Sequence, residues 1–264
     1  MTTSVLVLCW NELNVARDSV RRLLKEPGVD QVVLVDNGST DGSAEYFSSL
    51  QKDRFQFVGL PSNLGPSVGR NKGIGICTGD RIFLIDGDIL YVPGTLATYH
   101  KILDANPDAF CVGQSDFEHV MTVGHNGVLD PQEAELRMPE EYTISDWFPM
   151  AWTQYGLFVG DLLREVKFYD KGAFGEQGYG LEDDWFYHDM KARGLTSLSV
   201  NKPVYYHEAH TGIKEIIKAS SRELLIKNME KRRAIFYERW GNRSQWSEWV
   251  SDNLPEKTTR PKPV

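Results

Sequence analysis

The sequence predicts an α/β fold in which helices flank a mainly parallel sheet, with a helical extension at the C-terminal end. Short aliphatic and β-branched runs alternate with segments of helical periodicity through the first half of the chain, as they do in βαβ units. Polar clusters follow three of these runs, at residues 9–12, 36–41 and 86–88. Ligands bind at the carboxyl ends of strands in such sheets, so these clusters are the first candidates for a functional site.

The first βαβ unit begins with residues 4–9, whose unbroken apolar character is typical of a strand buried on both faces. Apolar residues at helical spacing then predict a helix over 13–25, with Asn11 as its N-cap and a Pro-Gly pair after its end. Residues 31–35 have the composition of a second buried strand. Strand, helix and strand in this order predict two parallel neighbours in one sheet.

The alternation continues as far as the third polar cluster. A helix is expected over 43–51, a strand over 55–59 and a second helix over 66–77. The apolar run at 81–85 predicts the next strand, and it leads directly into residues 86–88. The third polar cluster therefore falls at the end of a strand.

The second half of the chain is less regular. Residues 115–148 are polar and rich in aromatic residues, which predicts a long loop that acts as a lid or binds an acceptor. The remaining expected elements are helices over 94–105, 183–193 and 213–239 and strands over 109–114 and 203–206. The predicted organisation is a domain over residues 1–212, a helical extension over 213–253 and a disordered tail over 254–264.

Composition limits the class of protein. The chain has 264 residues, of which 41% are hydrophobic, so it can bury a core and is not wholly disordered. It carries 29 Lys and Arg against 37 Asp and Glu, a net charge of −8. That charge argues against binding to nucleic acid over a broad surface, which depends on neutralising phosphates. A local basic site for an anionic ligand remains compatible with it.

The cysteines and the apolar runs exclude further classes. Cys9, Cys77 and Cys111 are far apart and lie in apolar surroundings, so we expect buried thiols and neither a zinc ribbon nor a disulfide scaffold. The apolar run near the N-terminus is too short for a signal peptide or a membrane helix. The sequence therefore predicts a soluble, cytoplasmic protein.

The cluster at 86–88 reads Asp86-Gly87-Asp88. Two carboxylates separated by one small residue at a strand end can share a divalent cation, and oxygen ligands suit Mg²⁺ or Mn²⁺. Such an ion could bridge a diphosphate and stabilise charge on a departing nucleotide. An ordinary Asp-Gly turn is the alternative, and the pattern alone does not separate the two.

Five segments together resemble a known family. They read VLVLCWNE (5–12), VVLVDNGSTDGS (32–43), SNLGPSVGRNKGIGICTGDRIFLIDGD (62–88), GYGLEDDWFYHDMKARG (178–194) and PVYYHEAHTG (203–212). Their order and spacing resemble the GT-A fold glycosyltransferases, especially family 2, and the EDD segment is also similar to the β4-galactosyltransferases. The resemblance implies a Rossmann-like GT-A sheet and a hexosyl transfer from a nucleotide-diphosphate sugar, with a UDP-sugar as the first choice. It further implies Mn²⁺ or Mg²⁺ as cofactor.

The resemblance assigns nucleotide binding to the first three polar loops. Asp36 matches the acid that recognises the base, although Asn37 replaces the usual second Asp, so either position could face the base. A carboxylate can accept the imide N–H of uracil. Arg70 matches an arginine that reaches toward the base or phosphate, with a helix-surface arginine as the alternative. The other residues implied in nucleotide binding are Cys9, Asn11, Asn63, Asp86 and Gly87.

The metal site implied by the resemblance is built on the same DGD segment. Asp88 matches the direct metal ligand and Asp86 the acid near the ribose and the metal. His207 matches a later histidine that completes the metal shell, with His210 as the alternative. Because imidazole is softer than the oxygen ligands that Mg²⁺ prefers, a histidine ligand favours Mn²⁺.

The EDD segment supplies the implied catalytic residues. Asp183 matches the base that deprotonates the acceptor hydroxyl in an inverting transfer, Glu182 binds sugar hydroxyls, and Asp184 is the alternative base. The alternative to a catalytic role is a structural one: acidic residues favour the first turn of any helix because of the helix dipole. Retaining enzymes share the other motifs, so the inverting course is implied by the resemblance alone. Together with Asp36 and the DGD acids, these residues form an acidic pocket that calls for a cation.

Aromatic residues offer candidate acceptor contacts. Trp147, Trp152 and Tyr155 precede Gly156, which resembles a small residue that leaves room for the donor sugar; core packing is the alternative for each aromatic ring. On the C-terminal helix, the charges of residues 231–233 are expected on a solvated face. That helix, with Trp240, Trp246 and Trp249, could instead form an acceptor platform, a homo-oligomer contact or an anion-binding patch.

The sequence leaves more than one acceptor and more than one class of protein open. A glycan, a lipid-linked group, a protein or a modified nucleic acid would each offer the hydroxyl. A sugar-phosphate nucleotidyltransferase shares the architecture, but its first loop is usually glycine-rich and basic, whereas residues 9–14 here read CWNELN. A catalytically silent nucleotide-sugar-binding module is the other alternative, and it would bind a nucleotide sugar without transferring it.

Overall fold

A computed structural model gives the structure of the chain and describes residues 1–114, 121–122, 144–145, 153–175, 180–200, 206–207 and 222–241. In this part of the chain a mixed, mainly parallel sheet lies between two layers of helices, as the sequence predicts. The strands are β1 Thr3–Cys9, β2 Gln31–Asp36, β3 Phe55–Gly59, β4 Arg81–Asp86, β5 Ile89–Leu90, β6 Ala109–Gln114, β7 Met121–Thr122, β8 Ile144–Ser145, β9 Tyr155–Val159, β10 Thr196–Val200 and β11 Tyr206–His207.

The helices follow the strands in the order expected of βαβ units. They are α1 Leu13–Leu23, α2 Ser43–Ser49, α3 Pro66–Ile74, α4 Thr95–Ala105, α5 Gly160–Val166, α6 Glu182–Ala192 and α7 Arg222–Trp240, with a 3₁₀ helix at Gly172–Gly175 between α5 and α6. The strand order is β3-β2-β1-β4-β9-β6-β10-β8 in the main sheet and β5-β11-β7 in a small one.

Strand register brings the three polar clusters to one edge of the sheet. β1 pairs in parallel with β2 and with β4, so Cys9 lies beside Asp36, and Leu8 beside Asp86. The expectation that polar residues gather at the carboxyl ends of neighbouring strands is confirmed. β9 was not expected as a strand; it runs antiparallel between β4 and β6, and its first residue, Tyr155, therefore lies at the same edge.

The central strands are apolar on both faces because a core lies on each side. Val5 and Val7 of β1 join one core with α1 and α4, whereas Leu6 joins a second core. That second core includes Phe158 of β9 and Phe186 of α6. Alternate side chains of one strand point to opposite faces, which explains why the sequence shows unbroken apolar runs rather than an apolar–polar alternation.

Helix α3 packs unusually close to β1 through two glycines. A Cβ atom on Gly69 would lie 2.5 Å from Cδ1 of Leu8, and one on Gly73 would lie 2.1 Å from Cδ1 of Leu6. No side chain fits at either position without a shift of its neighbours. The close approach brings Arg70, which lies between the two glycines in the sequence, against the end of β4.

Two expectations about helix ends are wrong. Asn11 does not cap α1: the N-cap is Glu12, without a side-chain cap. Asn11 instead has a φ of 59° and its Oδ1 accepts a hydrogen bond from the backbone N–H of Thr40 at 2.7 Å. Three helices also end two or three residues earlier than expected, at Leu23, Ser49 and Ile74.

The cysteines, the apolar segments and the C-terminal helix can be compared with the remaining expectations. All three cysteines are free and buried. Within the described ranges no helix combines the length and the apolar character needed to cross a membrane. The expected helix over 213–239 is described from Arg222 to Trp240, and the tail over 254–264 lies outside the described residues.

Candidate active site

Asp36 ends β2 and is almost fully buried. Its Oδ2 accepts a hydrogen bond from the backbone N–H of Ser39 at 3.1 Å, whereas no donor in the described part of the chain reaches its buried Oδ1. Burial raises the pKa of this carboxyl above its ordinary value, against the hydrogen bonds from Ser39. An unpartnered buried acceptor costs free energy, so Oδ1 is the atom here that a ligand donor would stabilise most.

Asn37 has a different role from Asp36. Its Nδ2 donates to Asn63 Oδ1 at 3.1 Å and to the Gly65 carbonyl at 3.2 Å, and its Oδ1 accepts from the Leu64 backbone N–H at 3.0 Å. Both ends of the amide thus hold the loop that leads into α3. Of the two positions that the sequence left open, Asp36 is the one with an unpartnered oxygen.

Cys9 and Asn11 support the same loops from the first strand. The Cys9 thiol is fully buried 3.8 Å from Ser43 Oγ, and burial raises its pKa. The backbone N–H of Asn11 donates to Ser39 Oγ at 2.9 Å, so the loop after β1 is tied to the loop after β2. The nucleotide-binding role expected of these two side chains stays a prediction.

Arg70 joins two of the predicted motifs. It is 3% exposed, which excludes the helix-surface alternative. Its Nη2 lies 3.0 and 2.9 Å from the two carboxylate oxygens of Asp86, at the end of β4, and its Nη1 lies 3.5 Å from Oδ1 of Asp183 on α6. The guanidinium also lies over the ring of Phe168, 5.1 Å from its centroid. A guanidinium therefore holds the DGD and EDD carboxylates on either side of it.

Asp183 is the second anchor of that guanidinium. Its Oδ1 also accepts a hydrogen bond from Thr153 Oγ1, which lies just before β9. Burial raises the pKa of Asp183, while Arg70 and the Thr153 hydrogen bond act in the opposite direction. The carboxylate is thus fixed from two sides at the edge of the sheet where the polar clusters meet.

The neighbouring acids are buried on the same helical turn. Glu182 is 4% exposed, and its Oε2 lies 3.4 Å from Nη1 of Arg232. Burial first, and the charge of Asp183 second, raise the pKa of Glu182 to about 7, against Arg232 and Arg70. Asp184 is also buried. A helix dipole alone favours acids on an exposed first turn, and it does not account for their burial against arginines.

Arg232 was missed as a site residue. A solvated helix face was expected for residues 231–233, which is wrong for Arg232 because its side chain is 1% exposed. Its neighbours Lys231 and Arg233 are exposed, as expected. Nothing in the local run of basic residues separates the buried one, and only its position three and four residues before Ile235 and Phe236 marks the inward face of the helix.

The DGD turn fits tightly against β1. A Cβ on Gly87 would lie 3.0 Å from Cys9 Cα and from the Leu8 carbonyl oxygen, so a larger residue between the two aspartates would push against the backbone of β1. Burial raises the pKa of Asp86 to about 7; Arg70 opposes this rise, and the charges of Asp88 and Asp183 add to it. These carboxylates are therefore close enough to interact electrostatically.

His207 is brought next to this turn by the small sheet. The backbone of β11 pairs antiparallel with β5, and His207 lies opposite Ile89, the residue after Asp88. Its side chain is outside the described part of the structure, as are His210, Trp147, Trp152, Trp246 and Trp249. Within the described residues, no group of three His, Cys, Asp or Glu side chains has the arrangement of a metal site.

Tyr155 belongs to the core. It is fully buried in the layer formed with Phe83, Tyr91 and Tyr99, and its hydroxyl lies 3.1 Å from the Val92 backbone nitrogen. The core alternative is therefore the right one for this residue. Gly156, the next residue, is paired inside the sheet with Leu84 and Gly113.

Comparison with known proteins decides the family of this fold and site. The sequence profile described as Glycosyl transferase family 2 matches residues 4–149, more than half of the 264-residue chain. The chain belongs to glycosyl transferase family 2. The matched segment contains Asp36, Arg70 and the DGD turn, whereas the EDD residues and Arg232 of this glycosyltransferase lie beyond it.

Curated relatives of the glycosyltransferase match over part of their length. Succinoglycan biosynthesis protein ExoU of Rhizobium meliloti is 31% identical over 94 residues, which are 35% of this chain and 28% of ExoU. ExoO of the same organism is 28% identical over 137 residues, 51% of this chain and 38% of ExoO. The chain thus aligns with about a third of each of these relatives.

Solved structures share the fold of the glycosyltransferase. S. aureus TarS residues 1–349 in complex with UDP has a TM-score of 0.56 at 21% identity, over 78% of this chain and 60% of that one. Mannosyltransferase PcManGT from Pyrobaculum calidifontis, in complex with GDP-Man and Mn²⁺, has a TM-score of 0.56 at 18% identity, over 79% and 57% of the two chains. The GT-A fold predicted from the sequence is confirmed.

Proposed function

We propose that this glycosyltransferase moves a sugar from a nucleotide-diphosphate sugar, with a UDP-sugar as the first choice, to an acceptor hydroxyl in a metal-dependent, inverting reaction. The observation that carries the proposal is Arg70, which binds Asp86 with one amino group and lies beside Asp183 with the other. A donor-side carboxylate and a candidate base thereby lie on either side of one guanidinium, which is the arrangement that a transfer between two bound substrates requires.

The base of the nucleotide would bind at the end of β2. Asp36 Oδ1 is buried without a donor from the described residues, and the imide N–H of uracil would supply one. Support for the uracil nucleotide comes from TarS, whose crystal structures contain UDP or UDP-GlcNAc. Because PcManGT was solved with GDP-Man, a guanine nucleotide is the alternative against which the uracil nucleotide should be tested.

The DGD turn has the donor chemistry of a divalent-cation site. Mg²⁺ and Mn²⁺ both accept carboxylate oxygens. Both oxygens of Asp86 are within hydrogen-bond distance of Arg70, so Asp88 is the carboxylate that we expect to bind the metal directly, with His207 as the imidazole ligand. When bound, the ion would neutralise charge that develops on the departing diphosphate.

Asp183 would act as the base. Burial raises its pKa toward the working range of a general base, and Arg70 and Thr153 hold its carboxylate in one orientation. The acceptor hydroxyl would give its proton to Asp183 while its oxygen forms the new bond to the anomeric carbon. The bond from that carbon to the diphosphate oxygen would break on the opposite face, which inverts the configuration.

The test compares Asp183→Asn, Asp88→Asn and Asp189→Asn in transfer from labelled UDP-sugars with Mn²⁺. Asp183→Asn should lower kcat by roughly 100-fold or more while binding of UDP and Mn²⁺ is retained, because only the proton acceptor is lost. Asp88→Asn should weaken binding of UDP that depends on Mn²⁺. Asp189 lies on the same helix as Asp183 but pairs with Arg193 near the helix end, so Asp189→Asn should behave as wild type.

Four results would each contradict part of the proposal. Full transfer by Asp183→Asn would show that Asp183 is not the base. Full transfer after chelation of divalent metal would show that the reaction does not need the cation. Retention of the donor's anomeric configuration in the product, measured by NMR, would exclude the inverting course. Binding of a nucleotide sugar without transfer or hydrolysis by wild type would favour the silent binding module.

A further inference from the structure

We propose that Arg232, on the C-terminal helix α7, is a positioning residue that holds the first turn of α6 so that Asp183 faces the DGD turn. The catalytic role of Arg232 rests on the proposed function. It places in the active site a helix that lies outside the segment matched by the family profile, which ends at residue 149.

The guanidinium of Arg232 contacts three successive parts of the chain that lead into α6. Its Nε donates to the carbonyl of Ala173 at 3.0 Å, and its Nη1 donates to the carbonyl of Gly180 at 3.3 Å. The same Nη1 lies 3.4 Å from Oε2 of Glu182, the first residue of the helix. The group also lies over the ring of Phe174, 5.2 Å from its centroid. One buried side chain therefore fixes the 3₁₀ helix, the turn and the helix start relative to one another.

The turn before α6 needs such support. Gly180 has a φ of 101° and Leu181, the N-cap, has a φ of 66°, in the left-handed region that a leucine rarely adopts. The N-cap also offers no side-chain hydrogen bond to the first turn. A backbone in this conformation persists only where its surroundings hold it, and Arg232 is bound to the carbonyl that precedes Leu181.

Charge gives a second reason for a cation at this place. Glu182 is buried and the adjacent Asp183 is partly buried, and two neighbouring carboxylates disfavour each other's ionised form. Arg70 approaches Asp183 on one side and Arg232 approaches Glu182 on the other. The two guanidiniums hold the acids apart, so Asp183 is directed toward the DGD turn while Glu182 is directed toward α7.

Helix α7 is itself anchored near Arg232. Phe236, one turn later, is fully buried with its ring centroid 6.1 Å from that of Trp185 and 5.6 Å from that of His188, both on α6. Residues four apart lie on one face of a helix. Arg232 therefore reaches α6 from the same face that packs against it, and the contact is part of a built interface between the two helices.

The test uses Arg232→Met, Arg232→Lys and, as matched control, Arg233→Met on the exposed side of the same helix. Arg232→Met should lower kcat by roughly 10- to 100-fold with little change in the KM of the donor, because the base is displaced while the nucleotide site is intact. Arg232→Lys should recover part of the loss, and Arg233→Met should resemble wild type. In a Glu182→Gln background, Arg232→Met should cause a smaller loss than it does in wild type, because the ion pair between the two residues is already removed while the backbone contacts of Arg232 remain.

Amide hydrogen exchange at residues 180–184 provides a readout without catalysis. Arg232→Met should exchange faster there than wild type while the β1–β4 region stays protected, and Arg233→Met should not. Unchanged exchange would overturn the proposal, as would a kcat loss that is fully additive with Glu182→Gln. If wild type transfers no sugar, the proposed function fails, and the exchange experiment still decides whether Arg232 holds the helix start.

Discussion

Each of three carboxylates in the site lies beside an arginine. Glu182 is buried, Asp86 and Asp183 are partly buried, and Arg70 and Arg232 contact all three carboxylates. The sequence predicts an acidic pocket that calls for a cation. The two guanidiniums supply part of that positive charge, and these five residues still carry one more negative than positive charge. A divalent cation at Asp88 would neutralise this remaining negative charge and part of the charge of the phosphates.

Glu182 should make the stability of the protein depend on pH. Its pKa is raised from 4.5 to about 7 in the folded state, so the folded protein binds the proton more tightly than the unfolded chain. This contribution to stability is fully present below about pH 4.5 and is lost as pH rises through 7. Urea unfolding of wild type should therefore show a larger fall in the free energy of unfolding between pH 4.5 and 8 than Glu182→Gln, by about 1–3 kcal/mol.

The control for this experiment is Glu238→Gln, a substitution of an exposed glutamate on α7. It should leave the pH dependence of wild type unchanged. Identical pH profiles for wild type and Glu182→Gln would show that Glu182 does not hold a raised pKa in the folded protein. Only the change of the unfolding free energy with pH is compared between the variants, and not its absolute value, because removing the charge of Glu182 also changes its contact with Arg232 at every pH.

Among the elements, α3 illustrates how packing places a functional side chain. Gly69 and Gly73 let the helix approach β1 closely, and Arg70 reaches the end of β4 from that position. A sequence pattern of small residues at spacing four predicts a close helix contact, but it does not say whether Arg70, the one arginine of the helix, is turned inward. The distance of the helix from the sheet decides that.

Gly73→Ala should destabilise the protein by about 1–3 kcal/mol, because a Cβ there overlaps the buried side chain of Leu6. Gly75→Ala is the matched control: it lies at the end of the same helix with a φ of −66°, and its Cβ would lie 3.5 Å from the nearest atom, the Asn71 carbonyl oxygen. It should be neutral or slightly stabilising. Thermal unfolding of both variants is the measurement, and equal Tm values would contradict the close packing.

At the scale of the whole molecule, α6 connects the cores. Phe186 belongs to the core on one face of the sheet, and its neighbour Trp185 belongs to a third cluster with Phe174 and Phe236. Through Trp185, helix α7 is packed on an element that is itself packed on the sheet. The described part of the C-terminal helix should therefore unfold together with the sheet, although the sequence analysis treated it as an extension.

Phe236→Ala should lower the stability of the whole protein by about 3–5 kcal/mol, because it removes a fully buried ring from this cluster. Tyr237→Ala, the next residue and 38% exposed, should change it little. Urea unfolding followed by circular dichroism and by tryptophan fluorescence should give a single transition with one midpoint in each variant. A separate early transition in tryptophan fluorescence would show that α7 unfolds as an independent unit.

The sequence predicted what is encoded locally. The strands β1–β4 and β6 and the helices α1–α4 were expected near their observed bounds, because each carries its own apolar pattern. β9 and β10 were missed, since their strand character depends on partners far away in the chain. Arg232 was missed for the same reason: three adjacent basic residues look alike in the sequence, and only contact with α6 distinguishes the buried one.

The reversed direction of β9 determines where the specificity of this protein can be redesigned. Because the chain enters β9 at the edge that carries the site, Thr153 and Gln154 lie beside Asp183 and Asp86, and the carbonyl of Gln154 accepts the Asp86 N–H at 3.0 Å. The chain leaves β9 at the far edge, where the Gly160 N–H binds the Asp80 carbonyl. A mutant library aimed at new acceptors should therefore vary the residues that directly precede β9, while substitutions directly after it, at Gly160 and in α5, would test stability alone.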